Sequence, residues 1–159
     1  MNIEIFNVAL GSNSGNISFS DKKSDDQNAV IMNENGINIP IRRLDELVDS
    51  TNIALLKIDV EGYEKFVLMG TTNLFKHIKC IIFEATDWAM AKYDYSIESI
   101  YDILLDNNFQ LFRVSGIMEI SAIMKDYQPK KHFIGGEDLL AIKNVDDFIL
   151  RTNYKIIKK

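Results

Sequence analysis

Cysteine is almost absent from this sequence: Cys80 is the single one among 159 residues. No intrachain disulfide can form, and the cytosol is the simplest compartment for such a chain. Cys80 opens the apolar run CIIFEA, so its expected role is that of a small buried hydrophobe rather than a reactive thiol. Long apolar runs are missing too. None approaches the ~18 residues that a bilayer crossing needs, and MNIEIFNVAL has neither the basic region nor the long apolar core of a signal peptide. Nor is there an excess of positive charge: 23 acids against 18 bases leave a net charge of −5. Nucleic acid and anionic membranes are therefore not expected as main partners. The one basic cluster, Lys155, Lys158 and Lys159, reads as a solvated tail. A G-x-S-x-G elbow and a phosphate loop are also absent, which weighs against a hydrolase or a sugar-phosphate enzyme.

What remains is an ordinary globular composition, 47% hydrophobic and 26% charged. The length suits one domain, 1–159, able to bury roughly two thirds of its unfolded surface. Residues 2–10 alternate through Ile3 and Ile5 and predict a strand, GSNSGN at 11–16 is turn chemistry, and ISFS at 17–20 is a short strand. Residues 21–36 read as a polar loop with a brief strand at Ala29–Met32. INIPIRR at 37–43 alternates again, with Pro40 arguing for an edge position. Asp45 is placed to cap a short helix reaching about Ser50. Residues 53–59 are the strongest strand candidate. YEKFVLMG follows as a helix stopped by Gly70, and TNLFKHI adds a turn or two. CIIFEAT has the signature of a second buried parallel strand. Ser96 opens the clearest helix, 96–107, whose apolar stripe is Ile97, Ile100, Tyr101, Leu104 and Leu105. FQLFRVS and DLLAIK (138–143) are further strands, and a final helix or strand falls in 145–157. The alternation of strand and helix over 53–115 implies a parallel sheet with right-handed crossovers, hence an α/β architecture.

The chemistry gathers at two strand ends. In open parallel sheets, ligands bind beyond the carboxyl ends of the strands. Asp59 and Glu61 follow ALLKI; Glu84 and Asp87 follow CIIF. If the two strands are neighbours about 4.8 Å apart, the carboxylates converge on one pocket. Lys57, Asp59 and Glu61 share a side-chain direction while the strand persists, because its period is two. Gly62 lets the chain turn into the helix. A solvated ion pair plus a helix-dipole contact would explain the same charges without any site, and composition alone does not choose.

IALLKIDVEGYEKFVLMG, followed about a dozen residues later by IIFEAT, closely resembles the FkbM family of S-adenosylmethionine-dependent methyltransferases. NVALGSNSGNISF and IPIRRLDELV are similar to that family's upstream segments, and DLLAIK to its closing strand. The resemblance thus runs over approximately residues 2–143, and K-I-D-V-E-G-Y-E is its specific core. It implies a Rossmann-like class I methyltransferase fold with a seven-stranded, mostly parallel sheet and an antiparallel last strand. Residues 53–59 and 80–84 would be its fourth and fifth strands, and 109–114 and 138–143 its closing antiparallel pair. It also implies transfer of a methyl group to a hydroxyl oxygen on a sugar, glycan or polyketide-like acceptor. Asp59 is then the first candidate for general base or for holding the cofactor's amino-acid end. Glu61 is the second, with Lys57 keeping Asp59 ionised. Ala9 and Leu10 would lie near the adenine. Glu84, Asp87 and Trp88 would meet the acceptor. Met118, Tyr127, Lys130, Lys131 and His132, in the segment joining the last two strands, are further candidates for substrate contact. No metal-ligand spacing is present, so no metal site is assigned.

The sequence also departs from the family. Its D-x-G-A-N-x-G cofactor loop and F-E-P-like ribose motif are not found, and Gly11 and Gly15 are no substitute for them. The chain begins where the family's third strand would begin. An incomplete fold lacking the first two strand–helix units is therefore expected, as is weak or absent S-adenosylmethionine binding by this chain alone. The fourth strand would expose an edge, to be completed by a second chain or a missing N-terminal segment. The competing reading is a non-catalytic remnant or interaction module that keeps the back half of the fold.

Overall fold

A computed structural model of the chain describes residues 3–21, 28–31, 36–129 and 136–158. Two mixed sheets emerge where one seven-stranded sheet was expected. The smaller comprises β1 (Ala9–Leu10), β2 (Gly15–Phe19) and β3 (Ile37–Arg42) in the order β1-β3-β2. The larger comprises β4 (Leu56–Ile58), β5 (Cys80–Ala85), β6 (Gln110–Gly116), β7 (Glu119–Ala122), β8 (Glu137–Ile142) and β9 (Lys155–Ile156), in the order β4-β5-β8-β6-β7-β9. The helices are α1 (Leu44–Leu47), α2 (Glu64–Met69), α3 (Asp87–Met90), α4 (Ile97–Asp106) and α5 (Val145–Thr152).

The reason for two sheets lies in residues 3–10. Only Ala9 and Leu10 pair, and they pair with Ile41 and Arg42 of β3 rather than with the main sheet. Ile3 and Ile5 are exposed, so the alternation there buries nothing. Pro40 lies in the middle strand of the small sheet, yet β1 reaches only Ile41 and Arg42. At Pro40 the strand has a neighbour on the β2 side alone, which is the situation its missing N–H tolerates. Of the brief strand expected at Ala29–Met32, an isolated bridge from Val30 to Phe19 is seen; Met32 lies outside the described residues.

In the main sheet β4 and β5 are parallel, with Leu56, Lys57 and Ile58 opposite Ile81, Ile82 and Phe83. β8 runs antiparallel between β5 and β6, as the closing strand of the family would. β7, which no sequence signal announced, returns from β6 through a tight hairpin with Met118 at positive φ. β4 is the terminal strand.

β5 separates two cores, with its Ile81–Phe83–Ala85 face buried and its Cys80–Ile82–Glu84 face partly so. On one face Ile81 and Phe83 pack with Ile58, Leu68 of α2 and Ile100, Tyr101 and Leu104 of α4. Fully burying each such side chain contributes roughly 2 kcal/mol. On the other face Cys80, Leu140, Ile142, Phe112 and Ile120 meet Val145, Phe148 and Ile149 of α5. Burial pushes the Cys80 thiol up to about 11, which keeps it protonated.

Two local expectations are corrected. Asp45 does not cap α1; Arg43 is the N-cap residue and no side chain caps it. Asp45 instead takes both forks of Arg43 at 2.9 and 2.7 Å and accepts from the Asn73 amide at 3.1 Å, tying β3 to the end of α2. A bidentate guanidinium is a better partner for a buried carboxylate than one cap amide. Leu105 is 39% exposed and leaves the α4 stripe to Ile97, Ile100, Tyr101 and Leu104.

Candidate functional site

Strand β4 ends at Ile58, and the chain reverses into α2 through Asp59–Tyr63. This turn uses unusual backbone. Glu61 has φ 55° and Gly62 φ 95°. Glycine is needed at 62 for a second reason: a Cβ there would stand 2.4 Å from the Ala89 backbone of α3. The turn is braced from inside by Glu64, which is 1% exposed. Its Oε1 accepts from the Val60 and Gly62 amides at 3.3 and 3.2 Å. Tyr95 donates to the Gly62 carbonyl at 2.7 Å and lies 3.3 Å from Glu64 Oε2. Burial raises the Glu64 carboxyl above its ordinary value, against the pull of the hydrogen bonds it accepts. Tyr63, Phe66, Tyr93 and Tyr95 pack ring to ring around this turn.

The braced turn presents Asp59 and Glu61 outward. One carboxylate oxygen from each of Asp59, Glu61 and Glu84 lies within 4.8 Å of the others, which brings together acids from the ends of β4 and β5. Lys57 Nζ holds Asp59 Oδ2 at 2.8 Å, and this contact raises the lysine above its ordinary range. Glu84 Oε1 accepts from the Gly136 amide at 2.8 Å. Three carboxylates so placed offer hard oxygen ligands to a divalent cation, and their convergence is the one expected of parallel neighbouring strands.

Beside these acids lies a cleft of about 440 Å³. Ala9 and Leu10 of β1 form one side with Phe19 and Val30; Asp59, Val60, Glu61 and Tyr63 form the other. Four of the residues singled out in the sequence, Ala9, Leu10, Asp59 and Glu61, therefore share one cleft. Asp87 and Trp88 do not line it. They occupy the exposed side of α3, where Lys92 Nζ lies 4.3 Å over the Trp88 ring, while Ala89 of the same helix supports Gly62. His132, Lys130 and Lys131 fall outside the described residues. Met118 is at the β6–β7 turn, 41% exposed. Tyr127 donates to Glu137 at 2.8 Å and accepts from Arg113 at 3.2 Å, a network at the same end of the sheet.

Sequence reasoning missed Glu64. It belongs to the quoted motif, but the sequence alone assigns it no role, because a buried carboxylate under its own turn has no linear signature. Two buried hydroxyls, Thr86 Oγ1 and Tyr101 Oη, make no hydrogen bond among the described residues, and Thr86 Oγ1 lies beside Gly136 and Glu84.

A mixed sheet with an antiparallel strand between β5 and β6, and acids converging at the carboxyl ends of β4 and β5, defines a methyltransferase-like α/β protein. The model of the FkbM methyltransferase domain matches residues 3–111, and the chain belongs to that family. That membership carries a Rossmann-like methyltransferase fold and S-adenosylmethionine as the family's methyl donor. No curated protein and no solved structure matches the chain. No helix among the described residues is long and apolar enough to cross a membrane.

Proposed function

We propose that residues 1–159 act as one domain carrying the acceptor side of an O-methyl transfer site. The acceptor is a hydroxyl on a sugar, a glycan or a polyketide-like molecule, handled in the cytoplasm. One observation supports this above the others: Asp59, Glu61 and Glu84 converge at the mouth of the cleft that Ala9 and Leu10 line. When bound, S-adenosylmethionine supplies an activated methyl group on a sulfonium. The cleft's chemistry fits it: carboxylates for an ammonium and for ribose hydroxyls, and an apolar wall of Leu10, Val60 and Phe19 for a flat ring. No Gly-rich loop approaches its backbone, so we expect weak or absent binding by this chain alone.

Asp59 is the proposed general base. As the acceptor oxygen forms its bond to the methyl carbon, its proton passes to an Asp59 carboxylate oxygen; such proton transfer contributes about 10²–10⁴-fold. Lys57 Nζ, 2.8 Å from Asp59 Oδ2, holds that carboxylate in position, and Glu61 is the second candidate. Glu84 is placed to accept from a neighbouring hydroxyl of the acceptor. Asp87 and Trp88, on the exposed side of α3, belong to the outer acceptor surface, where Trp88 offers an apolar face to a sugar ring.

A second reading, an interaction module without turnover, is favoured by one observation. β4 is the terminal strand and its outer edge has no strand partner among the described residues. A second chain or segment pairing there would complete the sheet.

Calorimetry and turnover separate the two. We expect little heat with S-adenosylmethionine and slow methylation of hydroxyl acceptors at saturating donor, falling about a hundredfold in Asp59→Asn. Low-micromolar donor affinity would contradict the weak-binding expectation. Unchanged turnover in Asp59→Asn removes it as base, and no turnover despite donor binding favours the module.

A further inference from the structure

Two parts of the molecule each lack what the other offers. Residues 3–8 alternate like a strand yet pair with no strand among the described residues, and Ile3, Ile5 and Phe6 are 74%, 86% and 43% exposed. β4, at the end of the main sheet, has no strand on its outer side among the described residues. Leu55, 52% exposed, forms the lip of that edge. An open edge is a template for another strand, and three exposed apolar side chains within four residues gain by burial against it.

The two sides match in one register. In β4, Leu56 and Ile58 pack on the α2–α4 core, and the period of two turns Leu55 and Lys57 to the other face. With Ile3 set antiparallel opposite Ile58, Glu4 falls opposite Lys57, Ile5 opposite Leu56 and Phe6 opposite Leu55. Side chains directly opposite share a face, so Ile3 and Ile5 extend the core and Glu4 meets a cation. Lys57 already holds Asp59 at 2.8 Å, but its ammonium has three donors and its side chain is 57% exposed. Glu4 makes no ion pair among the described residues. Other registers fit worse. A slip of one residue drives Glu4 onto the core face. A slip of two sets it opposite Asp59 or Leu55. The parallel pairing of Glu4 with Lys57 sets Phe6 opposite Asp59.

The chain's own segment does not reach this register. Ala9 pairs with Ile41 and lines the cleft with Asp59 and Glu61, at the carboxyl end of β4. The antiparallel register instead runs on past Leu55 and would set Ala9 roughly 20 Å from Asp59, at about 3.3 Å per residue. A second copy, related by a two-fold axis perpendicular to the sheet, removes the conflict. The two β4 strands then run antiparallel, with both segments between them. Each segment is antiparallel to the other copy's β4 and so parallel to its own. Its residue 8 therefore arrives at the carboxyl end of its own β4, where Ala9 stands. We propose that this chain forms a two-fold dimer by exchanging residues 3–6, each segment adding as a strand to the other copy's β4 edge. The pairing rests on the same open edge as the interaction-module reading but not on a loss of turnover, and its test contains no methyl donor.

The test uses the full chain. Light scattering should show its mass doubling as concentration rises from about 1 μM to about 1 mM, the range expected of an interface at the small end of the scale. Ile5 is 86% exposed within one chain, so Ile5→Lys should leave a monomer at every concentration with unchanged circular dichroism. Under oxidation, Glu4→Cys combined with Lys57→Cys should give a covalent dimer on a non-reducing gel. Ile3→Cys combined with Lys57→Cys should give at least about tenfold less, because residue 3 lies on the other face. Wild type that stays monomeric at about 1 mM overturns the proposal, as does a dimer that Ile5→Lys leaves intact. A disulfide within one chain in Glu4→Cys/Lys57→Cys also overturns it, because the segment would then close its own sheet. Growth beyond a dimer overturns the two-fold exchange, since the contact would then be head-to-tail.

Discussion

Glu64 controls the geometry of the candidate site from beneath the turn, reaching beyond it to the Tyr95 hydroxyl. Its Oε1 takes two backbone amides, Val60 and Gly62, that no helix or strand would otherwise satisfy. Removing the acceptor in Glu64→Ala leaves both donors buried, and the expected loss is about 2–3 kcal/mol by urea denaturation. Glu64→Gln keeps an oxygen for the two amides, and its amide can donate to the Tyr95 oxygen while Tyr95 still donates to Gly62. pH separates the two acceptors. Because burial raises the folded carboxyl above its ordinary value, folding favours the protonated acid. That contribution is complete below the unfolded value and is lost as pH rises through the raised folded value. Wild type should therefore lose stability relative to Glu64→Gln as pH rises from 4 toward 8; an unchanging difference would mean the carboxyl titrates alike folded and unfolded. Gly62→Ala acts on the same turn. It places a Cβ 2.4 Å from Ala89 backbone at φ 95°, and a loss of roughly 3 kcal/mol in the denaturation midpoint is expected.

Among the elements, α4 gives the cleanest test of packing. Leu104 is completely buried and Leu105 is 39% exposed, though the two are adjacent and chemically identical. Leu104→Ala should cost about 3 kcal/mol in a denaturation series and Leu105→Ala less than about 1 kcal/mol. Comparable losses would mean that α4 is rotated relative to the sheet. The sequence's 3.6-residue period placed α4 and found its stripe except for Leu105, because burial on a helix repeats. The same reasoning located β5, whose apolar run packs against a core on each face, and β8, bounded by GGED and Lys143. It failed where burial is not periodic. Residues 3–8 alternate but have no sheet to join, β7 is too short to show a pattern, and Asp45 answers the Arg43 guanidinium and the Asn73 amide rather than the amides of its own helix. Within the site, the acids of β4 and β5 were legible because parallel neighbours bring their carboxyl ends together. Asp87 was expected among the converging carboxylates, but α3 turns it to the outside with Trp88, and Glu64 was invisible because the partners of its Oε1 are amides.

At the scale of the whole molecule, the unequal protection of the sheet is measurable. β5 is hydrogen-bonded on both sides, to β4 across Ile81–Phe83 and to β8 along its whole length. β4 is bonded to β5 alone. Local opening of β4 exposes one ladder and the Leu55 lip, whereas opening of β5 disrupts both cores and requires nearly global unfolding. Amide exchange in the isolated chain should thus be at least about tenfold slower for Ile81, Ile82 and Phe83 than for Leu56, Lys57 and Ile58. Equal protection would show that the β4 edge is already paired in solution. A strand added to β4 bonds its outward amides directly and should slow them by orders of magnitude, so such slowing on addition of a partner chain would show that the sheet is completed at this edge.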